Sequence, residues 1–395
     1  MTYQDLVEIN LKIDGKKFEP PISSLFILFG DSIYKPLPEL NITFSDKTAL
    51  IQESLLTCIG LDLQAEMNFL NEFDIVGGDF NISDVTMDKR ENSKTIAGSV
   101  DVKGIHKWQK ELDIKSEGYF SKISDIVRQL APATLFKSVS ISNTVNQDYW
   151  YQPLVNDVDF IKDYLLPYAY APASDGSMFY FFVNNLNELY FKSYSDLYNS
   201  KPVVTLKMVT EQESNSEKDR IRVLERVVMP LDNNYKNYNR YIFQMDSDTH
   251  ELVEEEDSIT DYPKIPMKKL PIAKNENFTS WLYHYDTESN NGRKENNKGL
   301  KASGMVNSYY LERYLVTTMF NPKINAGSVI ELDLPYPDNN DNSQKSIFMQ
   351  GKFLVEKAEH IWDGKEKKLY SRLVVCRKFA DVPDSFLITT KLFKT

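Results

Sequence analysis

Gly118-Tyr119-Phe120-Ser121-Lys122-Ile123-Ser124-Asp125-Ile126-Val127-Arg128-Gln129-Leu130-Ala131 is the stretch at which the chain changes character. Ile123, Ile126, Val127 and Leu130 recur at i, i+3, i+4 and i+7, the spacing of one buried helical stripe. Ser121 is read as the N-cap, and Pro132 stops the helix because it lacks the amide hydrogen that a helix interior needs. Upstream, residues 3 to about 114 read instead with the period of strands. Val7-Glu8-Ile9-Asn10-Leu11-Lys12-Ile13 alternates apolar and polar, and Asp14-Gly15 follows as a hairpin turn. Further strands are expected over 22–29, 40–44, 59–67, 73–82 and 95–105. Gly77-Gly78 inside one of them marks a bulge or a close approach of backbone.

Downstream, a second helix is expected from Asn156 or Asp157, with Val158, Ile161 and Leu165 on one stripe and Pro167 as its stop. Met178 to Val183, the turn Asn184-Asn185 and Leu189 to Phe191 read as two facing strands. Residues 203–209 and 221–228 are strands around the polar loop Glu211 to Asp219. Residues 232–300 are polar and Asn-rich and read as surface loops. A third helix is expected over Ser303 to Phe320 on the spacing of Val306, Tyr310 and Tyr314. A strand then follows a Gly327 turn, and a final hairpin, 347–358 with 368–376, closes about Asp363-Gly364.

Composition bounds the function. The chain has 395 residues, 42% of them hydrophobic, with 23 Tyr and 22 Phe. That suits several domains rich in β structure. The net charge of −11 argues against bulk binding of nucleic acid, which needs Lys and Arg to displace counterions. Cys58 and Cys376 lie far apart in apolar contexts and read as reduced, buried thiols. The N-terminus reads without a signal peptide, and no apolar run approaches the ~18 residues that span a bilayer. The expected setting is a soluble protein made in a reducing cytoplasm.

No chemical motif stands out. His106, His250, His284 and His360 are scattered, with no HExxH and no Cys/His cluster. His360, beside Trp362, reads as a partly exposed strand residue. Glu254-Glu255-Glu256-Asp257 has oxygen ligands for a hard cation but not the Asp-x-Asp-x-Asp-Gly spacing, so it reads as a solvated loop. Phe179 to Phe182 reads as core rather than a base-stacking platform, since no Lys or Arg interleaves it. Arg293 to Lys301 reads as a solvated loop. No catalytic, cofactor-binding or metal residue is expected, and no cofactor.

The order of parts carries a resemblance. Ser121 to Leu130, Asp157 to Leu165 with the strand pair Phe179 to Phe191, the turn Asn325-Ala326-Gly327-Ser328-Val329-Ile330, and the hairpin Gly351 to His360 with Tyr370 to Arg377 together resemble the central baseplate hub proteins of contractile-tailed bacteriophages and related injection machines. The resemblance implies a mainly β, α+β fold: two antiparallel β-barrel tube domains with an inserted α+β domain. The implied division is 1–114 for tube domain one, 115–200 plus 231–320 for the insertion, 201–230 plus 321–379 for tube domain two, and a tail over 380–395 expected to pair with a neighbour. It implies a structural, non-enzymatic role in the virion tail baseplate, assembled in the host cytoplasm. A homotrimer with pseudo-sixfold symmetry would join the hexameric tail tube to the trimeric central spike. Partners would be the spike, the tail tube, adjacent baseplate proteins and the tape-measure protein; DNA would pass through without specific binding, and no membrane insertion is expected. The other readings are a cell-wall-degrading or receptor-binding tail protein, and the hub of a non-contractile tail or bacterial injection device.

Overall fold

A computed structural model describes residues 7–46, 54–69, 74–89, 98–110, 114–145, 147–171, 178–207, 221–226, 239–246, 252–258, 279–286, 310–333 and 351–378. The protein is mainly β, built on a sheet of 13 strands. In the first half, β1 (Val7–Ile13), β2 (Lys16–Lys17), β3 (Phe26–Ser32), β4 (Glu39–Asp46), β5 (Asp62–Phe69), β6 (Val76–Lys89) and β7 (Gly98–His106) pair antiparallel in the order β3-β4-β7-β6-β5-β1-β2. Alternation holds here as read: β4 buries Leu40, Ile42, Phe44 and Asp46 and turns the residues between outward. Gly77 pairs with Glu66 without a register shift, so the glycine pair marks a close approach and not a bulge. Its φ is +143°, and a Cβ there would lie 2.1 Å from the Ala65 carbonyl oxygen.

Residues 115–200 form a second unit with its own core. β8 (Lys115–Ser121) leads into α1 (Ile123–Leu130), whose Ile123, Ile126, Val127 and Leu130 are all buried, as the spacing requires. Ser121 is not the cap: β8 runs through it and Lys122 holds the N-cap position without a side-chain bond. β9 (Ser138–Ile141) and β10 (Asp148–Val155) follow; neither they nor β8 was expected. α2 starts at Asp157, where the Asn156 side chain accepts from the Asp159 amide, and widens to a π-helical turn over Phe160–Leu165. β11 (Phe179–Val183) and β12 (Glu188–Ser193) are the expected pair, with Phe181 opposite Phe191, and the short helix α3 (Tyr194–Tyr198) follows. The aromatic run is core: every residue of β11 is buried.

In the second half, β13 (Val204–Lys207), β14 (Ile221–Arg226), β18 (Tyr310–Met319), β19 (Val329–Asp333), β20 (Gly351–Asp363) and β21 (Lys368–Lys378) continue the large sheet, while β15 (Asn239–Asp246), β16 (Leu252–Ser258) and β17 (Thr279–Asp286) form a separate sheet ordered β16-β15-β17. Two readings are corrected here. The third helix is a strand over its described part: β18 lies between β14 and β21, so residues 310–319 belong to the large sheet. The β-branched run Val316-Thr317-Thr318 loses side-chain freedom in a helix and packs well on a pleated face. In the polar middle, the backbone over 239–246, 252–258 and 279–286 is strand, so the acidic run 254–257 is not a loop.

β20 is the seam between halves. On one side it pairs with β21; on the other its start pairs with β19 and its end with β3, from Lys357 opposite Ser32 to Asp363 opposite Phe26. Strand pairing therefore makes one shared sheet, and no pairing among the described residues closes either half into a barrel. The sheet still carries two cores. Ile27, Phe29, Ile42 and Phe80 pack with Trp362 and Leu369, whereas Tyr314, Val316, Ile330, Phe353 and Leu373 pack together farther along. Each fully buried side chain of this size stabilises by about 1.5–3 kcal/mol. The expected tail over 380–395 and the loops 211–219 and 293–301 lie outside the described residues.

Candidate functional site

The polar groups that sequence left unassigned gather at the seam. Asp31, on β3, is 2% exposed and takes three backbone amides with its carboxylate. Asn185 in the β11–β12 turn donates over 2.7 Å, Ala326 in the turn before β19 over 3.0 Å, and Ala358 on β20 over 3.2 Å. One side chain thus ties the unit of residues 115–200 to both halves of the sheet. Burial raises its pKa to about 7, against the pull of the amides. The same hairpin turn accepts from Gly77, through the Asn185 carbonyl at 2.9 Å. Gly327, at φ +81°, leaves room for the Phe182 ring, which a Cβ would meet at 2.3 Å.

A buried ion pair sits one step along β20. Arg313 of β18 donates from Nε and Nη2 to Glu356 at 2.8–3.0 Å, and the Tyr34 hydroxyl donates to the same carboxylate at 2.5 Å. Strands β18 and β20 and the turn after β3 are tied here through the planar guanidinium fork.

His360 corrects its reading: it is wholly buried, not partly exposed. Its Nδ1 lies 2.8 Å from Ser371 Oγ and its Nε2 3.2 Å from Asn325 Oδ1. The Asn325 amide nitrogen donates to the Pro322 carbonyl, so Oδ1 faces the imidazole as acceptor. Burial depresses the His360 pKa to about 3, which keeps the ring neutral. His106 is likewise buried, accepting at Nδ1 from the Trp108 amide and donating at Nε2 to Asn187. His250 lies outside the described residues. Cys376 is buried and Cys58 half-buried, and neither is in a disulfide. Among the described residues no three His, Cys, Asp or Glu side chains are placed to hold a metal ion, and no helix is long and apolar enough to cross a membrane. Buried polar groups here hold elements together.

Two surface features remain. The first is the ribbon β8–β10, where Phe120 pairs with Tyr149 and Gly118 with Tyr151. Its inward face buries Tyr119 and Gln152, while Tyr149 (70% exposed), Tyr151 (61%) and Phe120 (54%) stand in solvent with Ile114 and Leu154. The Phe120 and Tyr149 rings lie 4.3 Å apart. Clustered exposure of this kind marks association surfaces. Leu56, Ile59 and Ile75 are exposed as well, in the connections that flank β5 rather than on the sheet. Sequence reading missed the ribbon; the signal was the aromatic alternation Tyr149-Trp150-Tyr151.

The second feature is a groove of about 650 Å³ between β9 and β12 on one side and the 323–329 turn with residues 200–203 on the other. Its acids are engaged: Asp74 lies 4.0 Å from Lys137, and Glu188 accepts from Asn184 and the Tyr190 hydroxyl. Its lysines, Lys192, Lys201 and Lys323, have no carboxylate partner among the described residues. Lys192 lies over the Tyr190 ring at 5.6 Å.

Comparison with solved structures matches this architecture almost end to end. The tail protein from Neisseria meningitidis MC58 superimposes with a TM-score of 0.55 at 10% identity, over 94% of this chain and 96% of that one. The 43 kDa tail protein of prophage MuSo2 from Shewanella oneidensis gives 0.51 at 11% identity, over 94% and 96%. The chain has the fold of these tail proteins. The resemblance read from Ser121 to Leu130, the aromatic hairpin and the final hairpin is thereby borne out at the level of fold. No family model matches the sequence, and no curated protein is similar to it in sequence.

Proposed function

We propose that the chain is a structural tail baseplate hub: a homotrimeric, pseudo-sixfold ring joining a hexameric tail tube to a trimeric central spike, with a channel for DNA ejection. The observation that carries this reading is the fold shared with two tail proteins over 94% of the chain. The sheet carries a separate core in each half, and in this reading each half supplies one lobe, so that three chains present six. In this reading residues 1–114 are the first tube domain. Residues 201–230 and 321–379, joined by β18, are the second, and 115–200 with the polar middle is the insertion.

The exposed apolar face of the β8–β10 ribbon suits a head-to-tail contact, in which different faces of successive copies meet and a ring closes. Its partners are the spike, the tail tube, adjacent baseplate proteins and the tape-measure protein, and its place is the virion tail. The role is assembly without catalysis.

The test is light scattering after size-exclusion chromatography, of the chain alone and co-expressed with the product of the neighbouring tail gene. A particle of three chains in either run supports the reading, and a monomer in both contradicts it.

A further inference from the structure

We infer that the exposed aromatic face of the β8–β10 ribbon seats in the groove between the β12–β9 face and the 323–329 turn of a second copy of this chain, with Tyr149 and Tyr151 as its anchors. The inference rests on the ring reading above and names the two faces that meet in it.

The ribbon presents one uncharged face. Its register sets Ser116 opposite Pro153, Gly118 opposite Tyr151 and Phe120 opposite Tyr149, and opposed residues share a side. The hydroxyls of Ser116 and Tyr151 lie 2.6 Å apart, which holds the Tyr151 ring in place. Gly118 leaves a gap beside that ring, since a Cβ there would meet nothing within 4 Å. Tyr149, Tyr151 and Phe120 are 70%, 61% and 54% exposed, so no described residue covers them. A whole aromatic side chain buries about 150–250 Å², so these three offer roughly 300–450 Å². A stable contact buries about 800 Å² on each partner, which makes the ribbon the anchor of a larger interface.

The groove is the matching face. Ser138, Ser140 and Tyr190 line it from the sheet side, and Val203, 42% exposed, lines it from the other. Its volume of about 650 Å³ falls in the ~300–1,000 Å³ range that takes a drug-sized ligand, the scale of two tyrosine side chains. Tyrosine suits a mixed lining because its ring is apolar and its tip polar. Lys192 is engaged with the Tyr190 ring, whereas Lys201 and Lys323 have no carboxylate partner among the described residues. An ammonium is drawn to the negative face of an aromatic ring. The fold already uses that pairing at Lys192 over Tyr190 (5.6 Å) and at Lys352 over Tyr198 (5.9 Å). The ribbon face carries no Lys or Arg to repel these ammoniums, nor to hold the phosphates of a stacked nucleic acid. A face and a separate groove on one chain make a head-to-tail contact, which a suitable rotation closes into a ring.

The first experiment tests proximity with a short bis-maleimide, on the chain alone and co-expressed with the product of the neighbouring tail gene. Ser116→Cys marks the ribbon and Ser138→Cys the groove, both at exposed positions. The chain carrying both substitutions should give covalent species up to a trimer, and the two single variants co-expressed should give a dimer. Each single variant alone should give no more product than wild type, in which half-buried Cys58 sets the background. A ribbon variant that cross-links to itself reveals a like-to-like contact and overturns the inference. A trimer without the ribbon–groove product overturns this contact and leaves the ring reading in place. Product that stops at a dimer supports the contact and removes the ring, and monomers without product remove both.

The second experiment measures self-association on dilution. Y149S/Y151S and K201E/K323E should each weaken it about tenfold or more. All four side chains are exposed, so the substitutions spare the core. Because both pairs act on one contact, the chain carrying all four should be weakened by clearly less than the product of the two effects. Effects that multiply in full place ribbon and groove in separate contacts and overturn the inference.

Discussion

Asp31 and His360 are both shut away from water, and they move stability in opposite directions as pH changes. For Asp31 the folded pKa of about 7 stands above the ordinary 3.8, so the folded state holds more protons than the unfolded chain between those values. Its contribution is therefore greatest at low pH and is lost as pH rises toward 7. For His360 the folded pKa of about 3 stands below 6.5, so the unfolded chain holds more protons, and stability is lost as pH falls from 6.5 toward 3. Each slope is at most about 1.4 kcal/mol per pH unit, and between roughly pH 4 and 6.5 they offset. Asp31→Asn should leave a chain whose stability rises more steeply with pH across that window than wild type. His360→Gln should leave one whose stability rises less or falls. Urea midpoints at several pH values measure both, and parallel curves for all three proteins would remove this account. Neither role was legible in the sequence. Asp31 sits among Gly30 and Ser32 with nothing local to mark it, because its three donors come from positions 185, 326 and 358. Gly327, in contrast, was legible as a turn, and the structure adds what lies behind it, the Phe182 ring. Gly327→Ala should cost about 2 kcal/mol or more, combining left-handed backbone strain with displacement of a buried ring.

At the scale of elements, strands with clean alternation and helices with a full apolar stripe were readable: β1, β4, α1, the β11–β12 hairpin and the β20–β21 hairpin all stand where the pattern put them. β18 was not. Tyr310, Tyr314 and Leu315 fit a helical stripe, and only the tertiary sheet, with Tyr314, Val316 and Thr318 buried in alternation, decides against it. Arg313 on that strand makes the same point: a charged residue mid-element reads as surface, but here it meets Glu356 across the sheet. Removing one partner, as in Glu356→Ala, leaves a buried cation and should cost about 3–5 kcal/mol in denaturant unfolding. Arg313→Met with Glu356→Leu should cost less than either single change, and a double variant as unstable as the sum of both would contradict a coupled pair. The ribbon β8–β10 asks for the reverse outcome. Tyr149→Ser with Tyr151→Ser touches exposed side chains, so unfolding stability should move by no more than about 0.5 kcal/mol each while self-association falls. A chain that associates as before would clear the ribbon of an assembly role.

At the scale of the whole molecule, the resemblance foresaw a mainly β chain and implied two β-barrels, whereas strand pairing joins the two halves of the chain along β20 into one sheet. That junction was beyond sequence reading, since β20 meets β3 more than 300 residues away and nothing local encodes such a partner. Asp31, the Arg313–Glu356 pair and the β3–β20 ladder bond the two halves to each other directly, and the proposed hub needs such a joint. The most direct measurement of that claim is imaging of the purified particle by electron microscopy with symmetry left free in averaging. The account predicts an open ring of three chains whose end-on view has a central hole and six lobes of similar size. A solid particle, or a ring whose lobes do not come in two sets of three, would contradict it.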